Sequence, residues 1–224
     1  MSIDSANREW ELEELDNTAG AMSWVYNPLI CELTVLEAPG DEERCSVPWD
    51  SLKEQVKSIV WKGGGAVAPS RGGKPCSCLE YASIAFGAAS IAPCAFFGCK
   101  MLRSCAIPKS VLAIGNCAFK DCSALRQIEI PESVTSIGSG AFSRCYELQS
   151  ISIPDSVVFV GEKAFSKCSS LVSVPLSGSL SCISNGTFKW CDSLASIVIP
   201  ESVRSIGDYA FRAVTMCRCL CCRA

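Results

Sequence analysis

Phenylalanine recurs at positions 96, 119, 142, 165, 188 and 211, each 23 residues after the last. Leucine keeps the same step at 102, 125, 148, 171 and 194, and cysteine keeps it at 76, 99, 122, 145, 168 and 191. Proline holds 108, 131, 154 and 200, and glycine holds 115, 138, 161 and 207. Five residue types in one register restrict the fold to a solenoid. Each unit is one coil that cannot bury its apolar side alone, and stacking of coils makes a continuous core.

One unit shows how the coil is built. Leu125, Ile128 and Ile130 have the spacing of a leucine-rich-repeat strand, and Glu129 alternates with the two isoleucines, so one side is buried and the other exposed. Pro131 ends the strand because it has no N–H to give to a ladder. Val134 and Ile137 turn back over the core, Gly138 is placed where a positive φ is expected, and Ala141 and Phe142 plug inward from the convex arc. The expected architecture is a leucine-rich-repeat solenoid with a short parallel β-sheet on its concave face and mostly irregular or 3-10 convex arcs.

The register reaches upstream. Val56, Ile59 and Trp61 fall on the strand columns, and Cys76, Leu79, Ala82 and Ile84 fill the next unit. This gives an N-terminal segment and capping module over 1–52, a solenoid of about six to seven coils over 53–212, and a Cys-rich tail over 213–224. At roughly 4.8 Å per strand the coils stack into a rod on the order of 30 Å long. Two units are irregular. The glycine-rich stretch 63–73 replaces the first convex arc and reads as a loop, without the spaced Gly-Lys-Ser/Thr of a phosphate cradle. After Leu171, Pro175 comes two residues early, Ser177 and Ser184 occupy the proline and glycine columns, and Asn185-Gly186 supplies a turn.

The pattern Cys-x-x-Leu-x-x-Ile-x-Ile-Pro-x-Ser-Val-x-x-Ile-Gly-x-x-Ala-Phe resembles the BspA-like, or Treponema-type, leucine-rich-repeat family. The likeness covers about 155 residues and is most specific over 95–211. Leu33-Thr34-Val35, Val47-Pro48-Trp49 and Ile59-Val60-Trp61 resemble the short module that precedes such repeats. The resemblance implies a surface antigen or adhesin-like protein that binds other proteins, and it implies no enzymatic site.

Composition narrows the function classes. The 224 residues carry 20 basic and 23 acidic side chains, a formal net charge of -3, which gives no electrostatic basis for nucleic-acid binding. There is no histidine, so the usual general base near neutral pH and the commonest metal ligand are missing. No run of eighteen apolar residues is present, so no spanning helix is expected. The start, MSIDSANREWELEELDNTAG, lacks the basic-then-apolar order of a secretory signal. That start, together with seventeen cysteines, favours a cytoplasmic location, while the family resemblance points to the cell surface. No cofactor is expected.

The cysteine column reads as buried, unbridged thiols. Neighbours in a ladder stand about 4.8 Å apart with parallel Cβ vectors, whereas a disulfide needs Cβ atoms about 3.8 Å apart and converging. The tail Cys217-Arg-Cys219-Leu-Cys221-Cys222 is read as lying outside the repeat columns. It leaves open a neutral end, lipidation beside Arg218 and Arg223, or metal and redox chemistry, although its thiols stand too close for paired zinc knuckles. A thiol- or metal-binding or lipid-anchored protein acting through this cluster is therefore the alternative function. Glu129, Asp155 and Glu201 lie near strand ends of different coils and make no convincing acid–base pair, and Asn185-Gly186-Thr187 reads as a turn before a glycosylation site. No catalytic or metal-binding residue is assigned. The candidate site is the concave face, with Arg103, Arg126, Gln127, Glu129, Gln149, Ser150 and Ser152, and an apolar end at Val172, Pro175, Ala195 and Val198. Its expected partner is a protein.

Overall fold

The computed structural model describes residues 24–35, 54–62, 65–67 and 76–214. A first sheet runs in the order β1 (Trp24–Asn27), β2 (Glu32–Val35), β3 (Ser58–Trp61), β5 (Tyr81–Ile84), β7 (Ser104–Ala106). β1 and β2 are an antiparallel hairpin, and every later neighbour is parallel. The partners Ser58, Tyr81 and Ser104 lie one 23-residue step apart. Past β7 the ladder thins to single bridges that keep this step: Gln127 to Ser150, Ser150 to Ser173, Ser173 to Ser196. Side chains alternate as the sequence predicts, with Ala82 and Ile84 buried and Tyr81 and Ser83 exposed in β5.

A second parallel sheet, not expected from the repeat, follows the Val-x-x-Ile-Gly segment of each coil. It holds β4 (Gly65–Val67), β6 (Ala88–Ile91), β8 (Ala113–Ile114), β9 (Ser136–Ile137) and β10 (Phe159–Val160). β11 (Cys182–Ile183) and β12 (Ser205–Ile206) pair with each other as a separate piece. β4 lies inside the glycine-rich stretch expected to be a loop, so part of that stretch is ordered by pairing with β6.

The convex arc adds a third set of bonds between coils. Alternate N–H groups go to different places. Those of Gly140, Phe142 and Arg144 donate forward to Glu162, Ala164 and Ser166 of the next coil. Those of Ala141, Ser143 and Cys145 donate back three residues within their own coil. Two columns of positive φ accompany this zigzag. One runs through Cys94, Cys117, Gly140, Lys163, Gly186 and Tyr209, and the other through Gly98, Asp121, Arg144, Lys167, Trp190 and Ala213. A left-handed conformation costs a non-glycine residue about 1–2 kcal/mol. A forward hydrogen bond returns about 1 kcal/mol and leaves no orphaned N–H.

The positive φ expected at Gly138 is therefore two residues away, at Gly140 (φ 63°). Gly138 is glycine for another reason. A Cβ there would stand 2.6 Å from the backbone nitrogen of Asn116 in the preceding coil, and Gly115, Gly161 and Gly207 are approached as closely. This column sets how tightly coils stack.

The core is one continuous cluster from Leu33 to Ala210. Its axis is the phenylalanine column, whose six rings stack with centroids 5.0–5.6 Å apart and planes within 11° of parallel. Among the described residues no helix is long and apolar enough to cross a membrane.

Candidate binding surface

The concave sheet presents its outward side chains in columns. The first runs Ser58, Tyr81, Ser104, Gln127, Ser150, Ser173, Ser196, and a second, two residues further along each strand, includes Ala106, Glu129, Ser152 and Pro175. Most of these side chains are small, so the sheet floor is open. A groove of about 690 Å³ lies over it, lined on its outward side by Ser104, Ala106, Gln127, Glu129, Ser150, Ser152, Ser173 and Pro175. The isoleucines 128, 130 and 151 form its base.

Gln127, Glu129, Ser150 and Ser152, expected from the sequence, come together in this groove. Arg103, Arg126 and Gln149 do not line it. They form the column before the strand, where Arg103 pairs with Glu80 at 3.4 Å and Arg126 with Glu147 at 2.9 Å. Gln149 is tied through its backbone N–H to the carbonyl of Arg126. Ser104 and Ser173 were missed, although counting 23 residues either way from Gln127 and Ser150 finds both. Glu147 gave no such signal, because it lies 21 residues from its partner.

Exposed apolar groups bracket the groove. Tyr81 stands beside Ser104 at one end and is half exposed. At the other end Val172, Pro175, Ala195 and Val198 are exposed, as expected for that side. The convex arc offers a different surface, where Lys167 and Lys189 lie over the Trp190 ring at 4.7 and 4.1 Å and Arg212 lies over Tyr209 at 5.3 Å. These cations are already engaged with aromatic faces.

The column thiols of Cys122, Cys145, Cys168 and Cys191 are buried and unbridged. Each donates to the carbonyl of the phenylalanine 26 residues earlier, at 3.1–3.2 Å. Burial raises all four pKa values, that of Cys191 to about 12, so none is a thiolate near neutral pH. Among the described residues no three His, Cys, Asp or Glu side chains lie close enough to hold a metal ion. Asn185 acts as a turn residue: its Oδ1 accepts the N–H of Asp208 and its Nδ2 donates to Glu162. The segment Val47-Pro48-Trp49 and the cysteines 217–222 lie outside the described residues.

Parallel strands on one face, coils of 23 residues and a core of stacked identical columns define a leucine-rich-repeat solenoid. Residues 89–218 match, in six copies, the family described as BspA type leucine rich repeat region, and the chain belongs to that family. Solved structures agree on the fold. A leucine-rich-repeat protein of T. pallidum is 24% identical with a TM-score of 0.69, over 88% of this chain and 87% of that one. A leucine-rich-repeat protein of Bacteroides ovatus is 26% identical with a TM-score of 0.66, over 88% of this chain, which spans half the length of that protein. No functionally curated protein is significantly similar.

Proposed function

We propose that the chain is a non-enzymatic protein-binding module whose recognition surface is the concave groove. The observation that carries this is the groove itself: an open floor of small side chains, one carboxylate at Glu129, and exposed apolar groups at both ends. Small side chains let a partner's backbone and larger groups approach closely, and tyrosine and aliphatic groups at the ends suit anchoring contacts. Arg103, Arg126 and Gln149 act at the rim, where the two arginines stay partly exposed in their ion pairs. The hairpin β1–β2 serves as the cap of the solenoid within the 1–52 segment. A surface-antigen or adhesin-like role is the finer reading that the family supports, and antibody binding to intact source cells tests it.

The groove is tested by affinity capture from native extract of the source cells with three versions of the chain. Glu129→Lys with Ser150→Arg changes the groove, and Lys163→Glu changes the convex arc. Such surface substitutions shift stability by less than about 0.5 kcal/mol. A partner held by the unaltered chain and the convex variant should bind the groove variant at least tenfold more weakly, about 1.4 kcal/mol. A partner lost by the convex variant and kept by the groove variant places recognition on the other side.

A further inference from the structure

Two cysteines lie on the convex arc, one coil apart. Cys94 is exposed and Cys117 half-buried, and they hold the same place in adjacent 23-residue coils. Both have a positive φ, 59° and 56°, in the column that continues through Gly140 and Gly186. Packing does not account for cysteine there. Free cysteine is among the most buried residue types, and the left-handed conformation costs a non-glycine residue about 1–2 kcal/mol.

The pair differs from the buried cysteine column. Cys122, Cys145, Cys168 and Cys191 are shut off from solvent, and each thiol is pinned to a phenylalanine carbonyl at 3.1–3.2 Å. The Cys117 thiol makes a longer contact, 3.7 Å, to the carbonyl of Ser139. Partial burial, opposed by the nearby Lys120 charge, raises the Cys117 pKa, and a side-chain hydrogen bond with Cys94 raises it further. That bond brings the two outer sulfurs together.

The backbone holds the pair within bridging range. The N–H of Cys94 donates to Asn116 at 2.8 Å and that of Cys117 to Ser139 at 2.9 Å, which locks each coil to the next. Two residues further on, the Phe96 and Phe119 rings stack at 5.0 Å, the shortest step in a column that opens to 5.6 Å. Coils at this spacing set the two Cα atoms inside the roughly 4.4–6.8 Å span of disulfides. The Cβ atoms, near parallel across a ladder, must close to about 3.5–4.5 Å for a bond to form. A bridge made with that closure is strained, and strained or exposed disulfides are the readily reduced ones. This spacing suits a reversible bridge and not a permanent staple.

We propose that Cys94 and Cys117 are a redox pair, a dithiol that closes to an inter-coil disulfide by exchange with a low-molecular-weight disulfide. Cys94, the more exposed thiol, loses its proton and attacks one sulfur of that molecule, forming a mixed disulfide and expelling one thiolate. Cys117 then loses its proton and attacks the Cys94 sulfur, forming the inter-coil bond and expelling the second thiolate. Two cysteine thiols are oxidised, one small disulfide is reduced to two thiols, and the two protons released end on the leaving thiolates. The buried column takes no part, because a small disulfide does not reach it. This assignment stands independently of what the concave groove binds.

Oxidised glutathione added to the reduced full chain, followed by peptide mapping, tests it. The Cys94 and Cys117 peptides should be found joined, and the joined form should exceed the form with separate glutathione adducts at least tenfold. Excess reduced glutathione should reopen the bridge. Cys117→Ser removes the resolving sulfur, so Cys94 should then retain a glutathione adduct. Separate adducts on both cysteines of the unaltered chain overturn the proposal, as does a bridge from Cys94 to any other cysteine. An unreactive Cys94 overturns it too, and so does a bridge that excess reduced glutathione leaves closed.

Discussion

The thiol of Cys145 donates a hydrogen bond to the backbone carbonyl of Phe119, 3.2 Å away and one coil earlier. That carbonyl also accepts the N–H of Cys122 in its own coil. The cysteine column is thus a set of polar pins between coils, placed beside the phenylalanine stack. Serine could make the same bond but would bring a more strongly hydrated group into a dry core, which favours the softer thiol.

These pins make the protein sensitive to alkali. An unfolded thiol titrates near about 8.5. Burial, the largest cause in each case, lifts Cys122 and Cys168 well above their ordinary value and Cys191 to about 12. A raised folded pKa contributes stability that is fully present below the unfolded value and is lost as pH rises toward the folded one. Each such thiol should cost about 1.4 kcal/mol per pH unit above roughly pH 9, and Cys122, Cys145, Cys168 and Cys191 together roughly 5. Urea midpoints measured from pH 7 to 10.5 should fall steeply above pH 9, and Cys145→Ser should make the slope shallower. A midpoint that stays level between pH 8 and 10 would contradict the assignment.

The phenylalanine stack should dominate core stability. Phe142 lies between Phe119 and Phe165, with centroids at 5.2 and 5.5 Å and near-parallel planes. Phe142→Ala empties a fully buried site shared by three coils and should cost about 3–5 kcal/mol in chemical denaturation. An unchanged unfolding midpoint would mean that the ring contributes nothing to the core.

Two glycines in one coil should fail in different ways. Gly138→Ala sets a Cβ 2.6 Å from the Asn116 backbone nitrogen, and backbone cannot swing aside as a side chain would. Overpacking of this kind costs about 1–3 kcal/mol, and here the upper end is expected. Gly140→Ala meets nothing closer than the Cys117 Sγ at 3.4 Å and carries the left-handed strain of about 1 kcal/mol. Thermal melts should rank Gly138→Ala as the more damaging. The reverse order would restore conformational freedom, not close approach, as the reason for the glycine column.

That pair also shows where the sequence was legible. The 23-residue step is a statement about packing, and packing columns such as Phe142, Leu125 and Ile128 are visible because only a few side-chain types fill them. Concave residues Gln127, Glu129, Ser150 and Ser152 followed from strand alternation. The convex zigzag was invisible because it is a backbone device. Its positive-φ positions hold Asp121, Arg144, Lys167 and Trp190, whose identities give no sign of it. The direction of Arg103 and Arg126 was less legible for a related reason: it is set by Glu80 and Glu147, partners that no column spacing reveals.

The coil after Leu171 should be the weakest seam of the solenoid. Ser184 stands in the column of Gly138 and Gly161, whose N–H groups donate to Ile114 and Ile137. At Ser184 the side-chain Oγ donates to Val160 instead. Ser184 brings a Cβ into a column that is glycine in the coils before it, and the second sheet is interrupted here, between β10 and β11. An apolar void of about 10 Å³ lies at the same level, lined by Ile153, Val160, Leu176, Leu180 and Phe188 among others. Fewer inter-coil bonds and poorer packing lower the free energy of local opening. In native-state hydrogen exchange, amides of 182–184 should therefore exchange at least tenfold faster than those of 136–138, a difference of about 1.4 kcal/mol. Ser184→Gly removes the Cβ and lets the backbone N–H reach Val160, so exchange at 182–184 should slow toward that of the other coils. Equal protection at the two stretches in the unaltered chain would show that the seam is as firmly joined as its neighbours, and that the serine is accommodated at no cost.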